Sequence, residues 1–258
     1  MQEFDFPNVS TDLSGQTALV TGATSGLGWH FARVLAKAGA RVAATGRREA
    51  RLRELEQTIA QDGGDCIGFT MDVIDAENIF SVVEQIENTL GTVTILVNNA
   101  GIPDAQRATK MSVELIDRVI GTNLRGPWIL SCEIARRLLE KKMPGRIVNL
   151  SSLGASVYDG NGAALYSTTK AAVSRMTETL AVEWSKFNIN VNAIAPGLFH
   201  SEMTDGMLAR IGDISVHFPR KRIGHPAQLD STLLYLCSPA SDCVTGTVIK
   251  VDDGQGAR

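Results

Sequence analysis

Thr17-Ala18-Leu19-Val20-Thr21-Gly22-Ala23-Thr24-Ser25-Gly26-Leu27-Gly28 is the stretch whose reading decides the fold. Its first five residues form a short, continuous apolar run, as expected of a strand buried on both faces. The run enters a turn with three glycines. A helical pattern follows, with Phe31, Val34, Leu35 and Ala38 on one stripe and Gly39 as the stop. Strand, glycine turn and helix in that order are the context of a dinucleotide site. The glycines let backbone approach a pyrophosphate, and the helix N-terminus offers free N–H groups and partial positive charge.

Outward from this unit the strand-helix rhythm repeats. Strands are predicted at Arg41–Thr45, Cys66–Met71, Val93–Val97, Arg146–Leu150, Asn190–Ala195 and Gly246–Val251. Helices are predicted at Glu49–Ala60, at Ala76–Leu90 behind an Asp75 N-cap, at Leu229–Cys237, and on a long segment Ser112–Lys141 bent near Gly121–Pro127. Residues 1–14 read as a lead-in whose Phe4, Phe6 and Pro7 pack on the body or on a neighbouring subunit, and 15–258 as one α/β domain. Leu198–Ile223 breaks the rhythm, as lids at a ligand edge do.

The chain has 258 residues and a formal net charge of −3, with no basic run, which excludes a nucleic-acid surface. No stretch approaches the roughly 18 apolar residues of a membrane span. The acidic N-terminus is no secretory signal. Four scattered cysteines without Cys-x-x-Cys spacing argue for reduced thiols in the cytoplasm and against a metal site.

The second strand ends at Gly46-Arg47-Arg48. NAD sites place an acidic residue about 20 positions beyond the glycine turn to hold the ribose hydroxyls. Here arginines stand instead, free to pair with a 2′-phosphate, so NADP(H) is favoured and NAD(H) remains possible. The alternative is that both arginines are solvated residues opening a helix. At the next strand end, Asp72-Val73 offer an acceptor and an apolar surface to an adenine ring, or simply form a turn.

Chemistry enters at Tyr166-Ser167-Thr168-Thr169-Lys170. The tyrosine and lysine are one helical turn apart on one face. An ammonium beside a phenol should lower its pKa from about 10 towards neutrality, making a general acid/base.

Thr21-Gly22-x-x-x-Gly26-x-Gly28, Asn98-Asn99-Ala100-Gly101, Asn123, Ser152, Tyr166-x-x-x-Lys170 and Pro196-Gly197, in this order, resemble the short-chain dehydrogenase/reductase family along nearly the whole chain. Within it the chain looks most like 3-oxoacyl-carrier-protein reductases, gluconate dehydrogenases and tropinone reductases. The resemblance implies a single doubly wound Rossmann-type domain with a seven-stranded parallel sheet, and hydride transfer between NADP(H) or NAD(H) and a small alcohol or carbonyl substrate. It implies Tyr166 as acid/base, Ser152 (rather than Ser151) on the substrate oxygen, Lys170 on the nicotinamide ribose, and Asn123 holding a relay water. Cofactor contacts are expected from Gly22, Thr24, Ser25, Gly26, Leu27, Gly28, Arg47, Arg48, Asp72, Val73, Asn99, Ala100 and Gly101. Tyr166, Lys170, Pro196, Gly197, the Leu198 backbone and Ser201 complete that set. Asp253 replaces a glycine common in the family near the C-terminus. A homotetramer, or a dimer, is expected through the long helix and the Tyr166 helix, with Leu138, Trp184 and Phe187 on the contact faces. A catalytically silent sensor or scaffold on the same fold is the alternative; an extended epimerase calls for a longer chain. In the lid, Phe199, Met203, Met207 and Phe218 point to a moderately apolar substrate. His200 and His217 are either substrate contacts or solvated.

Overall fold

In the computed structural model, residues 6–158, 160 and 162–256 are described. Seven strands form one sheet in the order β3-β2-β1-β4-β5-β6-β7, with every pairing parallel. They are β1 (Thr17–Thr21), β2 (Arg41–Gly46), β3 (Asp65–Thr70), β4 (Ile95–Asn98), β5 (Gly145–Leu150), β6 (Ile189–Pro196) and β7 (Val248–Val251). From β1 the chain winds outward through β2 and β3, then returns to lay β4 on the other side of β1. That reversal opens a crevice at the carboxyl ends of β1 and β4, where open α/β sheets hold ligands.

Helices cover both faces. On one, α1 (Gly26–Lys37), α2 (Glu49–Gln61) and α8 (Asp230–Cys237) bury Phe31, Leu35, Leu55 and Leu233 against Ala18 and Val20. On the other, α3 (Ala76–Leu90), α5 (Gly126–Lys141) and α6 (Ala164–Trp184) bury Val83, Ile134, Leu138 and Leu180 against Leu19. Successive β1 residues thus feed opposite cores, which explains why that run is apolar without alternation.

The expected bend falls in the long helical segment. Helix α4 (Val113–Ile120) passes into a π-helical turn at Gly121–Arg125 before α5 begins. Gly126 packs so close to β3's exit that a Cβ there would lie 2.5 Å from the Val73 carbonyl.

Several expectations are corrected. Strand β3 starts one residue earlier than expected and stops at Thr70, while β4 starts only at Ile95. Trp184 and Leu138 are core residues, 6% and 0% exposed, because α5 and α6 turn those positions onto the sheet. Phe6 is fully exposed and does not pack on the body of its own chain, and Leu13 anchors the lead-in, its N–H bonding Ala38 O at 2.7 Å. Phe4 and Asn161 lie outside the described residues. The lid is more regular than its sequence implied. Ser201 caps α7 (Glu202–Ile211) by accepting the Thr204 N–H at 3.2 Å. Asp253, at φ +52, sits in the left-handed region that favours glycine, and its carboxylate pairs with Arg222 at 2.7 Å and Arg220 at 3.3 Å at the end of the lid segment.

Candidate active site

A cavity of about 760 Å3 opens along the carboxyl ends of the strands. Of the catalytic and cofactor residues expected from sequence, all but Gly28 and Asn123 reach its wall.

At one end stands the turn between β1 and α1. Gly22 and Gly26 have φ of +66° and +53°, and a Cβ on Gly22 would lie 2.9 Å from Ala100 Cα. Gly28 acts indirectly, since a Cβ there would collide with the Gly22 carbonyl and the Asn99 amide. Helix α1 carries no acidic residue in its first turn, and no side chain caps it. Its N-terminal N–H groups and partial positive charge therefore fit a pyrophosphate. Asn99 turns its amide onto the turn itself, Nδ2 donating to Thr21 O at 2.9 Å and Gly22 O at 3.3 Å. The Thr21 hydroxyl, which sequence reasoning passed over, accepts the N–H groups of Asn99 and Ala100, each at 3.0 Å. It ties β1 to β4 across the crevice.

The two arginines after β2 differ. Arg47 lines the cavity without a polar partner among the described residues. Arg48 donates to Thr24 Oγ1 at 3.1 Å and to Glu202 Oε2 at 3.1 Å. Arg48, together with a hydrogen bond from Ser25, holds the Glu202 carboxyl below its ordinary range. Glu202, on the lid helix, had no sequence signal beyond its place after Ser201. Gly46 occupies the place of the usual acidic residue, and a Cβ there would stand 2.6 Å from Thr24 Cγ2. Asp72 and Val73 line the same end; Asp72 Oδ1 accepts the Ile74 N–H at 3.1 Å.

At the other end α6 presents Tyr166, which faces the cavity beside Ser152. Ser151 turns beneath α6, its hydroxyl 3.1 Å from Lys170 O and 2.7 Å from Ser174 Oγ. Lys170 Nζ lies 5.7 Å from the centroid of the Tyr166 ring and donates to Leu150 O at 2.6 Å. Its ammonium is nearly sealed from water, and burial lowers its pKa to about 8.

The lowered tyrosine pKa expected from Lys170 is not what this arrangement gives. Burial raises the Tyr166 pKa, the Ser152 hydrogen bond lowers it, and the negative charge of Asp104 raises it further. Desolvation is the largest cause, and the lysine, itself desolvated, is turned to a carbonyl.

Asn123 is fully buried in the π-helical turn. It accepts the Ile102 N–H at 2.8 Å and donates to Ile102 O at 2.9 Å and Thr169 Oγ1 at 3.3 Å. This clasps the loop after β4 and leaves one lone pair on Oδ1 for any relay water. The Leu198 backbone is also engaged. Its N–H meets Gln255 Oε1 at 2.5 Å and its carbonyl accepts the Gly224 N–H at 2.9 Å. One residue on, the Phe199 N–H has no partner among the described residues. Pro196, Gly197 and Ser201 line the wall, Ser201 against Gly26. Phe199, Met203 and Met207 face the cavity; Phe218, His200 and His217 do not.

Comparison with known proteins agrees with this geometry. The family described as enoyl-(acyl carrier protein) reductase matches residues 22–255. The 3-oxoacyl-(acyl-carrier-protein) reductase FabG of Aquifex aeolicus is 36% identical over 94% of this chain and 98% of its own. The 2-dehydro-3-deoxy-D-gluconate 5-dehydrogenase of Dickeya dadantii is 35% identical over 96% and 98%. A crystal structure of an actinorhodin polyketide ketoreductase variant with NADPH superposes with a TM-score of 0.90 at 32% identity, covering 97% of this chain and all (100%) of that one. The chain belongs to the short-chain dehydrogenase/reductase family, and it is an NAD(P)-dependent oxidoreductase acting on CH–OH groups.

Proposed function

We propose that the protein moves a hydride between NADP(H) and a secondary alcohol or ketone, with Tyr166 exchanging the proton on the substrate oxygen. The observation that carries this is the phenol itself. It faces the cavity beside Ser152, with an ammonium one helical turn away.

When bound, the nicotinamide supplies or takes the hydride. The protein does the rest. Tyr166 and Ser152 each bring a hydroxyl to the cavity wall, where a carbonyl oxygen that gains charge as it is reduced can accept from both. A phenol held protonated is a proton donor at neutral pH. Lys170 orients the ribose and can pass a proton on, since its own pKa of about 8 lies near working pH. Asn123 steadies the loop that carries Gly101 and leaves one acceptor for a water on that route. The Phe199 backbone and Pro196-Gly197 hold the carboxamide end, and the Thr24–Gly28 turn holds the pyrophosphate. Asp72 and Val73 border the adenine.

NADP(H) is the preferred form because Gly46 leaves no carboxylate against a 2′-phosphate and Arg47 stands unpaired beside it. The NADPH held by the ketoreductase relative supports the same choice. The apolar lid residues Phe199, Met203 and Met207 favour a moderately apolar substrate. Exposed Trp128, Val182 and Phe187 on α5, α6 and the turn beyond α6 support a homotetramer, or a dimer, built on these helices. The four cysteines are free thiols, which suits a reducing cytoplasm. A silent sensor finds no observation in its favour.

The test is a panel of aliphatic ketones, β-keto esters and keto-acids offered with NADPH and with NADH, followed by loss of reduced-nicotinamide absorbance. Turnover of at least one ketone, faster with NADPH, is the expected result. Tight NADPH binding with no turnover on any member would return the silent binder to favour.

A further inference from the structure

The loop after β4 runs Ile102-Pro103-Asp104-Ala105 along the cavity wall. Asp104 is 4% exposed, and it lies outside every motif quoted from the sequence. Its Oδ2 accepts the backbone N–H of Leu165 at 2.9 Å and of Tyr166 at 3.2 Å, and its Oδ1 accepts that of Ala105 at 2.9 Å.

Leu165 and Tyr166 are the second and third residues of α6. Ala163, in the N-cap position, has no side chain able to cap, and none bonds there. The first turn of α6 is therefore capped from outside, by a carboxylate on a different loop. That loop is fixed in turn by Asn123 through Ile102. No cation lies within ion-pair distance of Asp104 among the described residues, so its charge is balanced by N–H groups and the helix N-terminus alone. We propose that Asp104 is the positioning residue of Tyr166: it docks the start of the helix that carries the phenol against the cofactor loop. Its negative charge, held at the same place, adds to burial in opposing ionisation of the phenol.

Three groups face the phenol from the elements packed around it. Lys170, on the same helix, favours phenolate only while it is charged, below its pKa of about 8. Ser152, after β5, also favours it by donating. Asp104, after β4, opposes it, as a like charge does. The other ionisable groups on the cavity wall (Arg47, Arg48, Asp72, Glu202 and Arg210) stand on β2's exit, β3's exit and the lid helix. The inference rests on the reading of Tyr166 as the proton donor, but its first test needs no turnover.

The chain has three tyrosines, so subtracting the ultraviolet titration of Tyr166→Phe from that of the wild type isolates one phenol. In Asp104→Asn, which keeps an acceptor for the two N–H groups, this increment should move to lower pH by roughly half a unit or more. The same subtraction with Asp104→Asn,Tyr166→Phe gives the variant's increment, and circular dichroism tracks alkaline unfolding. In Asp104→Ala the cap is lost as well. There kcat for any ketone turned over should fall more than in Asp104→Asn, while the fluorescence Kd for NADPH stays within about twofold. Coincident tyrosine increments in the wild type and Asp104→Asn, before or at alkaline unfolding, would overturn the electrostatic role. Equal kcat in Asp104→Ala and the wild type would overturn the docking role. If Asp104→Ala does not fold, the Asn variant decides alone. Absence of activity in every protein, with the increment shifted, would count against the oxidoreductase reading and leave Asp104's role standing.

Discussion

The floor and the lid of the cavity are built on opposite terms. On the floor, Asp104, Asn123, Ser151, Thr169 and Lys170 are each under 5% exposed and find their partners within the fold. Among the described side chains of the lid helix α7 only Thr204 is buried, and the helix's reach to the cofactor turn is the ion pair Arg48–Glu202, whose side chains are 47% and 58% exposed. An ion pair that wet is worth at most about 1 kcal/mol. The contrast separates reaction from selectivity. The chemistry is set in groups that cannot move without disturbing the core, and the choice of ligand is left to groups that can.

The largest effect should come from the floor. Tyr166→Phe removes one oxygen and nothing else, so kcat should fall by about 10²–10⁴-fold, the usual contribution of a positioned acid/base. NADPH affinity, measured by fluorescence titration, should hardly change. Turnover within a few-fold of wild type would remove the phenol from the reaction and collapse the distinction between floor and lid.

A second floor variant reads through stability. The buried Lys170 has a folded pKa of about 8, below the ordinary lysine value of 10.5. Below about pH 8 both states carry the proton, and the folded state bears the full cost of burying it. Between about pH 8 and 10.5 the folded state loses the proton first, so unfolding takes one up and stability rises with pH, by up to about 1.4 kcal/mol per unit. Lys170→Met lacks that rise. Urea unfolding at about pH 7 and about pH 9.5 should show the wild type gaining on the variant by about 2 kcal/mol. Tyr166, with its pKa raised, acts in the opposite direction, and only above about pH 10, where the unfolded phenol ionises. An unchanged difference between the two pH values would mean the ammonium is better solvated than its burial implies.

Much of the floor was legible because its residues announce themselves locally. The Thr17–Gly28 run, the Tyr166/Lys170 spacing and the Pro196-Gly197 stop each carry a backbone or helix-face requirement that a linear pattern preserves. The repeated strand-helix rhythm marked the strands of an α/β domain, and the family resemblance implied their single parallel sheet. What stayed hidden depends on residues meeting across the fold. Asp104 and the Thr21 hydroxyl act by accepting N–H groups from distant segments; no quoted motif includes Asp104, and the glycine-turn motif that includes Thr21 says nothing of what its hydroxyl bonds. The expected direction of the Tyr166 shift failed for a similar reason. A neighbouring ammonium is visible in sequence, whereas desolvation and a charge from another loop are not. Leu138 and Trp184 show the same limit, because helix periodicity gives a stripe without saying which stripe faces the sheet.

At the cofactor's phosphate end the effect should be smaller. Arg47 has no polar partner among the described residues, so Arg47→Ala leaves nothing behind unsatisfied and removes only what it gives the ligand. The ratio of kcat/KM for NADPH over NADH should drop by roughly 10- to 100-fold, as for a charge-assisted hydrogen bond. A ratio that ignores the substitution would make Arg47 a solvated residue and leave the preference to Arg48.

The smallest effect tests the lid's one charged link to the glycine turn among the described residues. Glu202 pairs with Arg48 at 3.1 Å, beside the pyrophosphate turn, where an arriving anion would have to share that guanidinium. Glu202→Gln removes the competing charge while keeping the side chain's length. If the pair simply occupies Arg48, NADPH should bind about two- to fivefold tighter at low salt, consistent with the small worth of an exposed pair. NADH, lacking the 2′-phosphate, should gain less, and the advantage should fade as salt screens it. Weaker NADPH binding in the variant would reverse the assignment, with Glu202 and Arg48 closing together over the cofactor. In that case the lid would contribute to retention, and its exposed contacts would be a clasp rather than a competitor.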